Sequence, residues 1–243
     1  MKTSRLVAAT AAVIAFGAFA PTSANAQSTS PSIPVGTLSA FPTVVQTGTK
    51  PTLTWSINYP SIVENYVTVT PPGTVTPKQN LICEIRILGL GVTSYSNGQI
   101  TYYRTRGQMR YNGSSTWTTI YDGKQTDTIV QQQGIVKTAF TVNTNKAMNF
   151  AGQYYNGSWK TLYTTLSGDN VRTLVNGASC PTNIPDYNAP SLEQFIKPYL
   201  DSSKKVRIGP MDVIVFMELT HTDKSDIGYD LQDLAMLLTF RTP

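Results

Sequence analysis

Val213-Ile214-Val215-Phe216-Met217-Glu218-Leu219 and Leu234-Ala235-Met236-Leu237-Leu238-Thr239-Phe240 decide how this chain folds. Each run is short and apolar at successive positions, so neither shows the alternation of a strand with one wet face. Such runs read as strands buried on both faces, and the second is the expected antiparallel partner of the first.

Working upstream, other runs have the period of two that marks a half-buried strand. Leu53, Trp55 and Ile57 alternate with Thr52, Thr54 and Ser56, Val67 and Val69 alternate before Pro71-Pro72-Gly73, and Leu81-Ile82-Cys83-Glu84-Ile85-Arg86-Ile87 gives a further strand. Ser96-Asn97-Gly98, Tyr111-Asn112-Gly113 and Asp122-Gly123 read as hairpin turns. Tyr111 to Tyr121 is echoed by Tyr155 to Tyr163, each with Tyr-Asn-Gly-Ser before a tryptophan, which reads as two similar hairpins rather than a repeat architecture. Charged residues make up only 14% of the chain, and its abundant Thr, Tyr, Val, Ile, Asn and Gly favour pleated sheet over helix. The fold class expected is all-β. One short helix is predicted: Ser191-Leu192-Glu193-Gln194 forms a capping box, Phe195, Ile196 and Leu200 share an apolar side, and Pro198 limits its length.

The start of the chain describes a compartment. Lys2 and Arg5 precede an apolar run from Leu6 to Ala20, and Ala24-Asn25-Ala26 offers a cleavage site, so residues 1–26 read as a secretory signal peptide. The run of about 15 residues is short of the ~20 needed to span a bilayer, and no transmembrane anchor is expected. Residues 27–36 are Ser/Pro-rich and read as a flexible leader. The protein is expected to be exported, whether periplasmic, at the cell surface or extracellular. Lys2 and Arg5 account for two of 19 basic residues, leaving 17 against 14 acidic ones, a balance too weak to argue for nucleic acid.

Ser39-Ala40-Phe41-Pro42-Thr43-Val44-Val45, then Gly48 and Leu53-Thr54-Trp55-Ser56, resembles the opening strands of bacterial immunoglobulin-like modules. Val67-Thr68-Val69 with Pro72-Gly73-Thr74-Val75 fits the strand and turn that follow. The resemblance implies an Ig-like β-sandwich over 37–90 that serves as a spacer or adhesive unit, followed over 91–243 by a second, larger β-sandwich-like domain. Gly228-Tyr229-Asp230-Leu231-Gln232-Asp233-Leu234-Ala235 resembles an acidic loop near the end of certain exported bacterial β-domains, some of them suspected calcium binders. Gly228 stands where that pattern has its first acid, although Asp226 lies two places earlier.

The two cysteines, Cys83 and Cys180, lie in the mature part, where an even count in an exported chain permits a disulfide; two buried free thiols are the alternative. Either state is structural, since neither a C-x-x-C motif nor a neighbouring histidine activates them. Nucleophilic hydrolysis needs a base, and the single histidine, His221, at a strand end, reads as a solvated loop residue. No phosphate-binding glycine loop and no zinc cluster can be assembled, and no catalytic residue is assigned.

Half of the acidic residues lie from Asp201 onward, and Asp223, Asp226, Asp230 and Asp233 fall within eleven positions. Oxygen ligands concentrated on a Gly-containing loop are what Ca²⁺ takes; the alternative is a plain acidic loop, because Asp also caps and solvates turns. The leading expectation is a non-enzymatic, exported interaction or envelope-associated β-protein with an unknown protein or glycan partner. A carbohydrate-binding module is the alternative, with Trp117 and Trp159 as a stacking platform if exposed and as core residues if not. A hydrolase using two carboxylates in a cleft is a second alternative.

Overall fold

The computed structural model of the chain describes residues 35–41, 48, 50, 52–58, 61–166, 168–180, 195–203, 205–226 and 228–243. The segments read as a signal peptide, most of the expected leader and the predicted Ser191 to Gln194 capping box lie outside the described residues. The strands in chain order are β1 (Val35–Phe41), β2 (Thr52–Asn58), β3 (Val67–Thr70), β4 (Thr74–Pro77), β5 (Leu81–Gly89), β6 (Thr93–Ser96), β7 (Gln99–Tyr102) and β8 (Arg104–Tyr111). They continue with β9 (Thr118–Gly123), β10 (Ile135–Val142), β11 (Met148–Asn156), β12 (Ser158–Trp159), β13 (Tyr163–Thr164), β14 (Val171–Val175), β15 (Asp212–Met217) and β16 (Leu234–Arg241). The protein is all-β, with one α-helical turn, α1 (Thr128–Gln131), among the described residues. Phe195 and Ile196 are buried as expected, but the chain after them makes a 3-10 turn over Lys197–Tyr199, with Pro198 inside it. Among the described residues no helix is long and apolar enough to cross a membrane.

Two antiparallel sheets form a sandwich. One runs β10-β5-β16-β15-β14 and the other β3-β4-β11-β8-β9, with β12 and β13 pairing along β11. The expected central pair is there: β15 and β16 join antiparallel with Val213 opposite Leu238 and Val215 opposite Met236. Their unbroken apolar sequence has a physical reason, because this sheet is covered on both sides. Val213, Val215, Met217, Leu234, Met236 and Leu238 face the core between the sheets, with Met109, Met148 and Phe150 of the other sheet. Ile214, Phe216, Ala235 and Leu237 face a second core on the far side, roofed by Phe195, Ile196, Val206, Tyr229 and Leu231.

The boundary expected near residue 90 falls inside this sandwich. β3 and β4 lie at the edge of the seven-stranded sheet, next to β11, and β5 sits between β10 and β16. The apolar face of β5, Leu81, Cys83, Ile85 and Ile87, packs in one core with Val67 and Val75 of β3 and β4 and with residues of later strands such as Met148, Phe150, Met236 and Leu238. β1 and β2 form a two-stranded sheet of their own, with Leu38 opposite Trp55 and Ala40 opposite Leu53. The alternation read there is present, but it is not half-buried: Leu53 and Trp55 are 54% and 70% exposed.

The expected disulfide is not formed, and both cysteines are free and buried. Cys83 points into the core between the sheets, whereas Cys180 belongs to the second core, so the five-stranded sheet stands between them. Sulfurs on opposite sides of a sheet cannot meet the short Cβ···Cβ span of a disulfide. Burial pushes both thiols up, Cys180 to about 11, which keeps them protonated and inert.

Asn97-Gly98 and Asn112-Gly113 turn as predicted, each with positive φ. Asp122-Gly123 does not turn but ends β9 in the sheet. Asp122 is held by arginines of β8, and a Cβ on Gly123 would meet Asp127 and Tyr121 side-chain oxygens at 2.1 and 2.4 Å. Glycine leaves room there for these side chains rather than making a turn.

Candidate functional site

Two polar constellations stand out, one sealed and one open. The sealed one ties the 218–233 connection between β15 and β16, which is long for a loop without secondary structure of its own. Glu218, at the end of β15, is fully buried, and Asp233, immediately before β16, is 5% exposed. Oε1 of Glu218 accepts from the amides of Thr220 and His221, both at 3.0 Å, and from Thr220 Oγ1 at 2.6 Å. Its Oε2 accepts from the amides of Asp230 at 3.0 Å and Leu231 at 3.3 Å. One carboxylate thus gathers donors from both limbs of the loop. Asp233 Oδ2 accepts from Leu219 N at 2.7 Å, and Gly91 N donates to the carbonyls of Gln232 and Asp233 at 3.1 Å each.

Local sequence makes this possible. Leu231 is held at φ +58, a conformation that costs a branched-chain residue about 1 kcal/mol or more, by the same amide that reaches Glu218. Gly228 lies where a Cβ would meet the His221 ring at 2.5 Å, and Gly91 where a Cβ would meet Gln232 O at 2.5 Å. Tyr229 donates its hydroxyl to the carbonyl of Asp169 at 2.7 Å, and Asn170 Nδ2 donates to the carbonyls of Glu218 and His221 at 3.1 and 2.6 Å.

The two buried acids divide one proton. Burial, then the charge of Glu218 and a hydrogen bond to it, raise Asp233 well above the usual carboxylate range. Burial also works to raise Glu218, but hydrogen bonds from Asp233, Thr220 and the amides of Asp230 and His221 outweigh it and leave Glu218 lowered. Asp233 is the neutral donor and Glu218 the anion, as two carboxyls in contact require.

Of the four aspartates predicted to bind metal, the structure brings together two. Ligand oxygens of Asp230, Asp233 and Glu218 lie within 4.8 Å of one another. Asp223 and Asp226 instead form turns, accepting from Ser225 N at 2.9 Å and Gly228 N at 2.8 Å. Their side chains are spent on the loop's own backbone, which is the common use of aspartate in a turn. Glu218 was not among the predicted ligands. Its signal in the sequence is an acid closing a run of apolar residues destined for burial. His221 is 41% exposed, with Nδ1 3.6 Å from Glu218 and Nε2 3.8 Å from Asp226.

The open constellation covers the outer face of the seven-stranded sheet. On β8, Thr105, Gly107 and Met109 point inward, which sends Arg104, Arg106, Gln108 and Arg110 outward. Arg106 stacks 3.8 Å from the centroid of Trp159, with Arg104 at 5.5 Å from the same ring, and Arg110 lies 5.0 Å from the centroid of Trp117. Both tryptophans therefore lie on this one face, each carried by one of the two Tyr-Asn-Gly hairpins and each half-buried. Tyr155 meets Trp159 edge-on at 5.4 Å. Asp122 binds Arg106 through Oδ2, at 2.9 Å to Nε and 2.7 Å to Nη2, and Arg104 Nη2 at 3.0 Å. Arg110 Nε is buried without a hydrogen-bond partner. The three arginines were not predicted, although their spacing of two and four in a strand places them on one face.

Fold and sites together define a two-sheet, antiparallel β-protein with a sealed acid knot and a half-buried arginine-tryptophan cluster on its outer sheet face. Comparison with known protein families, with curated proteins and with solved structures finds no match.

Proposed function

We propose that this chain is a non-enzymatic, exported interaction module whose contact surface is the outer face of the seven-stranded sheet, and that this surface takes carbohydrate. The observation that carries the reading is the placement of Trp117 and Trp159 on one face, each following a Tyr-Asn-Gly turn and each ring already stacked by a guanidinium. Aromatic rings on a rigid sheet supply flat contact area at little entropic cost. Export rests on the signal-type character of residues 1–26. The spacer or adhesive role implied by the Ig-like resemblance agrees with a module that binds and does not react.

The arrangement of acids supports the non-enzymatic reading. The buried carboxyl pair, Glu218 and Asp233, is sealed from solvent and occupied by backbone amides. The cleft lined by Leu88, Tyr102, Gln125 and Phe195 carries no carboxylate, and the one lined by Val69, Pro72, Arg172 and Thr173 has Asp169 alone. A glycan screen comparing the protein with its Trp117→Ala/Trp159→Ala variant tests the reading. Glycan retention that disappears in the variant is expected, and equal retention by both would overturn it.

A second reading, calcium held at Glu218, Asp230 and Asp233, is favoured by the convergence of their oxygens. A rise in melting midpoint in millimolar Ca²⁺, lost in Asp230→Ala, would support it. Equal midpoints in calcium and chelator would leave the knot to its shared proton.

A further inference from the structure

We infer that the ligand of the outer face is a linear anionic polysaccharide, carboxylated or sulfated, lying along β8; the inference rests on the carbohydrate reading above. Charge makes the choice. Three arginines of β8 face outward, and Arg104 and Arg106 share the single carboxylate of Asp122. That leaves more positive charge on the strand than this partner neutralises. Arg104 is 52% exposed along its side chain, so its guanidinium is open to a ligand even while paired. Arg110 adds a third guanidinium beside Trp117, and its buried Nε has no acceptor within the protein. Guanidinium forks recognise carboxylate and sulfate-like groups by paired, charge-assisted hydrogen bonds, and a ring beneath the fork holds it in plane.

Geometry makes the ligand a chain. Arg104 and Arg110 are six residues apart on one extended strand, which spans about 20 Å. Trp159 lies at the Arg104 and Arg106 end and Trp117 at the Arg110 end, so stacking positions and cationic positions run together along the strand. A single sugar reaches one end only; an oligomer with an acidic group on its repeat reaches both. Asp122, on neighbouring β9 opposite Arg106, has the geometry of a gate: it holds the two guanidiniums in position and repels an anion that lacks the rings' contacts.

The test measures binding of the purified protein to a polyuronate, a sulfated polysaccharide, a neutral β-glucan and a single-stranded DNA oligonucleotide, at low and at high salt. Three proteins are compared: the natural sequence, Arg106→Ala/Arg110→Ala, and Arg241→Ala, which removes an exposed positive charge at the end of β16. The expected result is binding to an anionic polysaccharide that weakens with salt, falls about tenfold or more in the double variant and is unchanged in Arg241→Ala. The polyuronate and sulfated arms tell which anionic group is read. Preference for the neutral glucan, unaffected by the arginine change, would overturn the anionic inference while leaving the carbohydrate reading intact. Binding to none of the three glycans would overturn both, and stronger binding to DNA would replace glycan with nucleic acid as the partner. Circular dichroism of each variant separates lost binding from lost fold.

Discussion

Glu218, just past the end of β15, and Arg106, on β8, are both charged residues of one sandwich, and their surroundings set them to opposite work. The carboxylate of Glu218 is fully buried and receives five hydrogen bonds from the loop it organises. The guanidinium of Arg106 lies on the outer surface of a sheet, against a ring and beside one shared acid. A charge surrounded by fixed donors is committed to structure, because removing it leaves those donors unpaired in a dry site. A charge on an open, ordered face keeps hydrogen-bonding capacity for a partner at little cost to the fold. The same chain therefore separates an element that holds its shape from one that meets the outside.

Several substitutions sharpen or break this contrast. Glu218→Gln keeps the volume but places an amide NH₂ against incoming N–H donors, and is expected to destabilise the protein by about 3 kcal/mol in urea unfolding. A loss under about 1 kcal/mol would show that the knot is incidental. Gly91→Ala drives a methyl into the carbonyl of Gln232 and is expected to cost about 2 kcal/mol, read as a fall in melting midpoint. Trp159→Ala, on the open side, removes two cation-π contacts and one edge-on ring contact and is expected to cost only about 1 kcal/mol while abolishing binding. The smallest change is expected for Asp233→Asn at low pH, where the carboxyl is protonated in both states; the variant keeps a donor toward Glu218 and loses the titration. Because burial and Glu218 raise Asp233 in the folded state, its stabilising contribution is present at low pH and fades as pH rises through that raised value. Glu218 is lowered, so its contribution is present above the ordinary carboxylate range and fades as pH falls through the folded value. The variant should therefore lose the decline in stability that accompanies rising pH and keep the one on acidification, a result that urea midpoints across pH will read.

The contrast also divides what the sequence discloses. The all-β class and the β15-β16 pair were legible because unbroken apolar runs have few other uses, and the structure supplies the two covers they need. The two tryptophan hairpins were legible from Tyr-Asn-Gly. What stayed hidden depended on pairing between distant strands. The apolar face of β5 says that it is covered but not by which strands, so a boundary near 90 looked natural while the pairing runs to β10 and β16. Cys83 and Cys180 satisfy every sequence condition for a disulfide, and only the sheet between them forbids it. For the acidic loop, composition suggested four equivalent aspartates, whereas backbone geometry assigns Asp223 and Asp226 to turns and recruits Glu218 from the preceding strand. Sequence density of acids cannot separate these roles, since hydrogen bonding to amides and coordination to a cation use the same oxygens.

The most direct test follows the three indole N–H resonances of this chain, from Trp55, Trp117 and Trp159, during titration with an anionic oligosaccharide. Trp55 is a built-in control, being strongly exposed on the separate β1-β2 sheet, which shares no strand pairing with the arginine-bearing sheet. The account predicts that the Trp117 and Trp159 signals move together and saturate while Trp55 stays still. Movement of Trp55 alone, with the other two unchanged, would transfer the contact surface to the β1-β2 hairpin and contradict the role assigned to the outer face.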